Sequence, residues 1–333
     1  MRVLVAGGAG YIGSHMVRAL LAAGYQPVVF DNLATGHRES VPPEVALVEG
    51  DLLDPAALRG CLASRRPEAV MHFSALSLVG ESVAEPARYY ENNVVGTLNL
   101  LQAMRAAAVR LFVFSSTAAL FGEPDAVPIP DDALPNPINP YGTSKWMVER
   151  ILADWDRAYG VRHVTLRYFN AAGATPDGVI GEDHRPESHL IPLVLKTALG
   201  QRPAVAVFGT DYPTPDGTCI RDYIHVDDLC SAHLLALDYL AAGGESRAYN
   251  LGNGQGFSVR EVIETARRVT RATIPVEDVD RRPGDPAVLV ADSARIRSDL
   301  GWSPAWPALE TIVGHAWQWH RSHPDGYGVG GGR

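Results

Sequence analysis

An α/β fold, a doubly wound parallel sheet joined to a smaller mixed α/β substrate-binding lobe, follows from three features of the sequence. Short runs that are apolar throughout alternate with longer stretches of helical periodicity, the pattern of strands covered by helices on both faces. Three glycines separate the first apolar run from the first helical stretch. After Phe169 the texture changes to glycine- and proline-rich segments such as "AAGATPDGVIGEDHRPE" and "GTDYPTPDGTCIRD", as ligand-facing loops require. At 333 residues the chain exceeds the usual single-core limit. Residues 1–169 are therefore assigned to the sheet domain and 170–333 mainly to the second lobe, with about 221–242 able to rejoin the sheet.

The expected strands are "VLVAG" (3–7), "PVVF" (27–30), "VALVEG" (45–50), "AVMHF" (69–73), "LFVFSS" (111–116) and "VTLRYF" (164–169). Ile12, Met16, Val17, Leu20 and Leu21 recur at helical spacing over about 11–23. Further helices are expected over about 89–107 and 140–159, and "RDYIHVDDLCSAHLLALDYL" (221–240) reads as a strand followed by a helix.

Composition narrows the function. The net charge of −9 is scattered, and arginine pairs occur only at 65, 267 and 281, so no nucleic-acid-binding run exists. Cys61, Cys219 and Cys230 are odd in number and lack CxxC spacing, which favours reduced thiols and a cytoplasmic location. The apolar start is too short for a signal peptide, and no run reaches membrane-spanning length. The glycine-rich tail from about 326 is expected to fray.

Gly7, Gly10 and Gly13 run from a strand into a helix with GxxGxxG spacing, a variant of the turn that brings backbone N–H groups to a pyrophosphate. Asp31, closing "VVFDN", stands where a carboxylate accepts from ribose hydroxyls and repels a 2′-phosphate, which favours NAD over NADP. Asp51 in "VEGDLLD" either meets the adenine or caps the following helix.

"NPYGTSK" sets Tyr141 and Lys145 on one helical face. A cation ~5 Å from the phenol, at an effective dielectric of ~20, favours phenolate by roughly 3 kcal/mol, or about two pKa units. Such a phenol can exchange a proton near neutrality; the bland alternative is a tyrosine packed on a lysine stem. Ser115, Ser116 and Thr117 end a buried strand at the edge where open α/β sheets bind ligands. "GEDHRPESH" gathers Glu182, Asp183, His184, Glu187 and His189, but Pro186 interrupts and no i, i+4 geometry is available, so nucleotide-loop contacts are expected there and no metal.

Together with "VGESV", "YYENNVVGT", "LRYFNAAGA", "GTCIRDYIHVDDL", "YNLGNG" and "RRPGDP", these strings make residues 1–327 resemble the extended short-chain dehydrogenase/reductases, and within them the UDP-glucose 4-epimerase family. The resemblance implies a Rossmann-type NAD-binding domain over 1–169 and a UDP-sugar-binding lobe beyond it. It implies that Tyr141 is the acid/base, that Lys145 holds the nicotinamide ribose and lowers the Tyr141 pKa, and that Thr117 positions the sugar. Cofactor contacts are implied at Gly7, Gly10, Tyr11, Ile12, Gly13, Asp31, Asn32, Asp51, Leu52, Phe73, Ala75, Ser77, Asn92, Ser115, Tyr141, Lys145 and Tyr168. Substrate contacts are implied at Thr117, Tyr141, Asn170, His189, Leu190, Phe208, Arg221, Arg282, Asp285 and Leu289.

Two positions depart from the family: Ser77 stands where some members carry a lysine, and His189 replaces a nucleotide-contacting asparagine. The related dehydratases follow the strand threonine with an Asp-Glu pair, whereas Ala118 and Ala119 follow Thr117, so elimination lacks its acid and base. The expected activity is reversible C4 epimerisation of UDP-glucose and UDP-galactose through a 4-keto intermediate. UDP-N-acetylhexosamine or UDP-pentose substrates are the near rivals, and a non-catalytic nucleotide sensor is the remote one. Family precedent implies a homodimer, for which Trp146, Val148, Ile151, Leu152 and Trp155 offer more apolar surface than one helix face requires.

Overall fold

The computed structural model describes residues 1–282 and 285–328. The end of the glycine-rich tail, 329–333, and Pro283 and Gly284 of "RRPGDP" lie outside them. In chain order the strands are β1 Arg2–Ala6, β2 Gln26–Asp31, β3 Ala46–Glu49, β4 Ala69–His72, β5 Leu111–Thr117, β6 Arg162–Tyr168, β7 Asn170–Ala172, β8 Val205–Phe208, β9 Ile220–His225, β10 Arg247–Leu251, β11 Gly256–Ser258, β12 Val276–Val279 and β13 Val288–Leu289.

The large sheet has seven strands, all parallel, in the order β10-β6-β5-β4-β1-β2-β3. Strand order reverses between β1 and β4, which opens a crevice at their carboxyl ends. Period-two alternation gives each strand two apolar faces. Val3 and Val5 join the layer under helices Tyr11–Ala22 and Val226–Ala241, while Leu4 and Ala6 join the opposite layer under Pro55–Arg65, Gly96–Ala106 and Pro140–Tyr159. Leu4 is fully buried, so truncation to alanine there costs about 2–5 kcal/mol.

The helix Pro140–Tyr159 matches its expected span. Asn139 accepts from the Gly142 N–H at 2.8 Å, proline occupies the first turn, and Gly160 closes the helix at φ +66°. The expected helix over 89–107 is instead a helical stretch from Pro86 to Ala106 interrupted by a π turn, Glu91–Val95.

The return near 221–242 divides between the two lobes. Helix Val226–Ala241 packs on the large sheet through Leu229, Ala232, Ala236 and Leu237, but β9 pairs with β7, β11 and β13 in the small sheet. The strand that does rejoin the large sheet is β10, beside β6. Phe169 alone separates β6 from β7, and β9 runs directly into the helix at Val226. A separate core in the smaller lobe includes Val194, Leu195, Val207, Val262, Ile312 and Val313. No helix among the described residues is long and apolar enough to cross a membrane.

Candidate active site

The first site element is the turn after β1. Gly7 has φ +78°, and a Cβ there would lie 2.5 Å from the Ser74 nitrogen; a Cβ on Gly13 would lie 2.0 Å from the Gly7 oxygen. Both positions are therefore closed to larger residues. Gly10 caps helix Tyr11–Ala22 with no side-chain hydrogen bond and no acidic residue in the first turn, so the N–H groups at this helix end remain available to an anion. Asp31, at the end of β2, accepts from the N–H groups of Ala9 at 2.9 Å and Leu33 at 2.8 Å, with burial raising its pKa against those bonds. One carboxylate thus ties the glycine turn to the strand end where a ribose would sit, and the residues present fit a dinucleotide.

The alternatives for Asp51 separate. The cap of helix Pro55–Arg65 is Asp54, which accepts from Ala56 and Ala57, whereas Asp51 accepts from the Asn32 amide at 2.8 Å across adjacent strand ends. Phe73, Ala75 and Ser77 lie on the loop after β4, and Leu52 is buried against Gly96. That loop is fastened by Asn93, which sequence reasoning missed: it accepts from Leu76 N and donates to Leu76 O and to Ser144 on the Tyr141 helix. Asn92 donates to Asn93.

At the carboxyl end of β5, Thr117, Tyr141 and Lys145 come together. Thr117 is within hydrogen-bonding reach of the Tyr141 hydroxyl, and Thr117 Oγ1 also accepts from Ala119 N at 3.1 Å. Gly142 permits this approach, since a Cβ there would stand 2.4 Å from the Ala119 oxygen. Lys145, 3% exposed, donates to the Ser115 carbonyl at 2.9 Å. Tyr168, from the end of β6, reaches Ser115 and lies beside His233.

The expected lowering of the Tyr141 pKa is not found. Burial raises the phenol above its ordinary value, opposed only by the Thr117 hydrogen bond. Lys145 is itself drawn down to about 7 by burial, with Glu149 acting against that fall. A cation half lost near neutrality and turned toward a carbonyl cannot exert the full attraction that spacing suggests.

Glu149, one turn beyond Lys145, was also missed. It accepts from Ser116 Oγ at 2.5 Å and forms a buried, forked ion pair with Arg167 of β6, closest at 2.7 Å.

In the smaller lobe, the Arg282 guanidinium lies 3.8 Å over the Phe208 ring. Arg221 pairs with Asp285 at 3.1 Å, and Leu289 stands opposite Arg221 in the β9–β13 register. Leu289 packs in a small cluster with Trp146 and Phe169, while Asn170 opens β7 opposite Tyr223. Tyr212 was not anticipated: it is buried, its ring carries Arg281 at 4.1 Å, and its hydroxyl has no partner among the described residues. His189 caps helix Leu190–Ala198 and turns Nδ1 toward Glu187 at 2.9 Å. Burial opposes charge on His184 and His189, but the Glu182 and Glu187 carboxylates outweigh it, lifting His189 and carrying His184 to about 10.

A glycine cradle, an acidic strand end and a Thr/Tyr/Lys group around one sheet edge define a dinucleotide-dependent enzyme, and the sequence profile of the NAD dependent epimerase/dehydratase family matches residues 3–252. The chain belongs to that family. A UDP-glucose 4-epimerase from Halalkalibacterium halodurans is 54% identical over 327 residues, 98% of each chain. The crystal structure of UDP-glucose 4-epimerase from Brucella ovis in complex with NAD is 49% identical with TM-score 0.92, covering 95% of this chain and 97% of that one. The enzyme of the same name from Bifidobacterium longum, in complex with NAD+ and UDP, is 38% identical with TM-score 0.94, covering 98% of this chain and 100% of that one.

Proposed function

We propose that the protein is an NAD-dependent UDP-glucose 4-epimerase, interconverting UDP-glucose and UDP-galactose through a 4-keto sugar. The observation that carries this reading is the grouping of Thr117, Tyr141 and Lys145 at the end of β5, followed by Ala118 and Ala119 in place of carboxylates. Bound NAD supplies the hydride acceptor and donor at C4 and, while oxidised, a positive ring that favours the Tyr141 phenolate. Tyr141 takes the proton of the C4 hydroxyl and later returns it, and Thr117 keeps the sugar oxygen and the phenol in line. Ala118 and Ala119 offer no group to remove a C5 proton, so the keto sugar is retained for reduction.

The large-sheet layer, residues 1–169 with the returning 226–251 segment, holds the cofactor, and the smaller lobe holds the UDP-sugar. Arg221 and Arg282 suit the pyrophosphate and Phe208 a uracil face, while Ala171, Ala172 and Gly173 leave the sugar room to turn. The test is incubation with UDP-glucose and product analysis by NMR. An equilibrium mixture with UDP-galactose and no net NADH is expected; stoichiometric NADH release would instead mark a dehydrogenase.

The working form is a cytoplasmic homodimer. Val148 and Leu152 are consumed by the chain's own core, but Met147 of the same helix is exposed, as are Val79, Val83 and Val95 on elements in contact with that helix, Val83 at 64%. A two-fold pairing through the Gly96–Ala106 and Pro140–Tyr159 helices would cover them. Light scattering on the purified protein measures this, and a monomeric mass would reject it. Free thiols at all three cysteines agree with a reducing compartment.

A further inference from the structure

Four side chains between the glycine turn and helix Leu190–Ala198 are gathered more tightly than nucleotide contacts require. The ligand atoms of Glu182, His184, Glu187 and His189 all lie within 4.8 Å of one another. His189 Nδ1 is 2.9 Å from Glu187 Oε1 and 3.0 Å from Glu182 Oε1; His184 Nδ1 is 3.2 Å from Glu182 Oε1 and 3.7 Å from Glu187 Oε2. A tetrahedral ion with bonds of about 2.0–2.2 Å sets its ligand atoms roughly 3.3–3.6 Å apart, and the observed separations bracket that range. Glu187 Oε2 and His184 Nδ1 are buried without a hydrogen-bond partner among the described residues, although the Glu187 side chain is only 4% exposed. Unpaired buried polar atoms aimed at one point call for a missing partner.

We infer that Glu182, His184, Glu187 and His189 bind one zinc ion that fixes the 182–189 segment, which packs on Tyr11, ahead of helix Leu190–Ala198. Two imidazole nitrogens and two carboxylate oxygens suit zinc, whereas magnesium and calcium take all-oxygen sets. Charge agrees: one dication neutralises two buried carboxylates while both imidazoles stay neutral, as ligation requires. The place is consequential. The His184 ring stands edge-on to Tyr11 of the glycine turn, neighbouring Asp183 accepts from Tyr327 N at 3.1 Å, and His189 begins the substrate helix. His189 Nε2 makes no hydrogen bond among the described residues and remains free for the nucleotide. The ligands come in two pairs, each two residues apart on an irregular segment, where alternate side chains share a face and helical spacing is irrelevant.

The test strips the full-length protein with a chelator and titrates zinc against a chromophoric competitor. One site per chain is expected, weakened at least ~10–100-fold in Glu187→Gln and in His184→Gln. Cobalt in place of zinc should give the visible bands of a four-coordinate ion in the native protein and lose them in Glu187→Gln, which is nearly isosteric and keeps the test usable if the histidine variant misfolds. Absence of a stoichiometric site, or equal zinc affinity in native protein and Glu187→Gln, overturns the inference and leaves two imidazolium–carboxylate pairs in its place.

Discussion

Replacing Glu149 by glutamine should pull in the alkaline limb of the activity profile. Lys145 is buried, bonded to the Ser115 carbonyl at 2.9 Å, and drawn down to about 7 by burial; Glu149 is the charge that resists this. Side chains four residues apart on a helix approach to about 5–6 Å. At an effective dielectric of ~20 that attraction is worth about 3 kcal/mol, or ~2 pKa units. Arg167 is then left as a buried charge without its partner. A lysine is charged only below its pKa, so lowering that pKa removes the cation first at the alkaline end. In kcat/KM, which reports the free enzyme, the alkaline limb should move down by at least ~1 pH unit, with activity near pH 6 better preserved than at pH 8. Breaking the buried pair should also cost about 3–5 kcal/mol of stability, so thermal unfolding is followed at each pH. Glu149→Gln/Arg167→Met removes both charges and should regain stability while keeping a shifted limb. An unmoved alkaline limb in a folded Glu149→Gln protein would refute control of Lys145 by Glu149.

Tyr141→Phe removes only the transferable proton, so UDP affinity by calorimetry should hold while turnover falls ~10²–10⁴-fold; near-native turnover would remove Tyr141 from the acid/base role. Chromatography of the denatured purified protein should yield one NAD per chain, reduced in Lys145→Ala, whereas cofactor lost freely from the native protein would contradict regeneration in place. At Leu289, the position that the family resemblance sets beside the sugar, leucine lacks the bulk of an aromatic ring, so the protein should turn over UDP-N-acetylglucosamine as well as UDP-glucose. Leu289→Tyr should cut the ratio of the two activities ~10–100-fold, since steric fit discriminates by about 1–3 kcal/mol per methylene-sized change; an unchanged ratio excludes Leu289 as the gate.

The large sheet was legible as far as β6 because each strand is an apolar run facing two helical layers. β10 escaped because "RAYNL" mixes buried Tyr249 and Leu251 with Arg247 and Asn250, and the Asn250 amide finds its acceptor at Ile129, 121 positions away. The candidate site was legible where one element carries the spacing, as with Gly7 to Gly13 and Tyr141 with Lys145. Groups made by distant elements were not: Glu149 meets Arg167, and Tyr212 meets Arg281, only after folding. A glutamate one turn beyond Lys145 and an arginine inside an otherwise apolar strand were the available signals for the first pair. The Tyr141 shift was misjudged for a related reason. Spacing reports that two side chains share a face, whereas burial of both and the direction of the Lys145 amine decide the sign. At Gly181–His189 the helical criterion was applied to a segment that is not a helix.

Two of the passages between the lobes have almost no linker: Phe169 between β6 and β7, and the step from β9 into helix Val226–Ala241; the chain also crosses at 252–255, from β10 to β11, and on either side of helix Ala294–Leu300. The two short passages lie side by side, because β7 and β9 are paired along Asn170–Ala172 and Tyr223–His225. A hinge needs a few residues free to change their dihedral angles, and here one is bound by strand pairing on both sides and the other has no linker at all. At these two points the sheets are continuous with one another, so a displacement of β7 or β9 passes straight into β6 and helix Val226–Ala241 with no linker to absorb it.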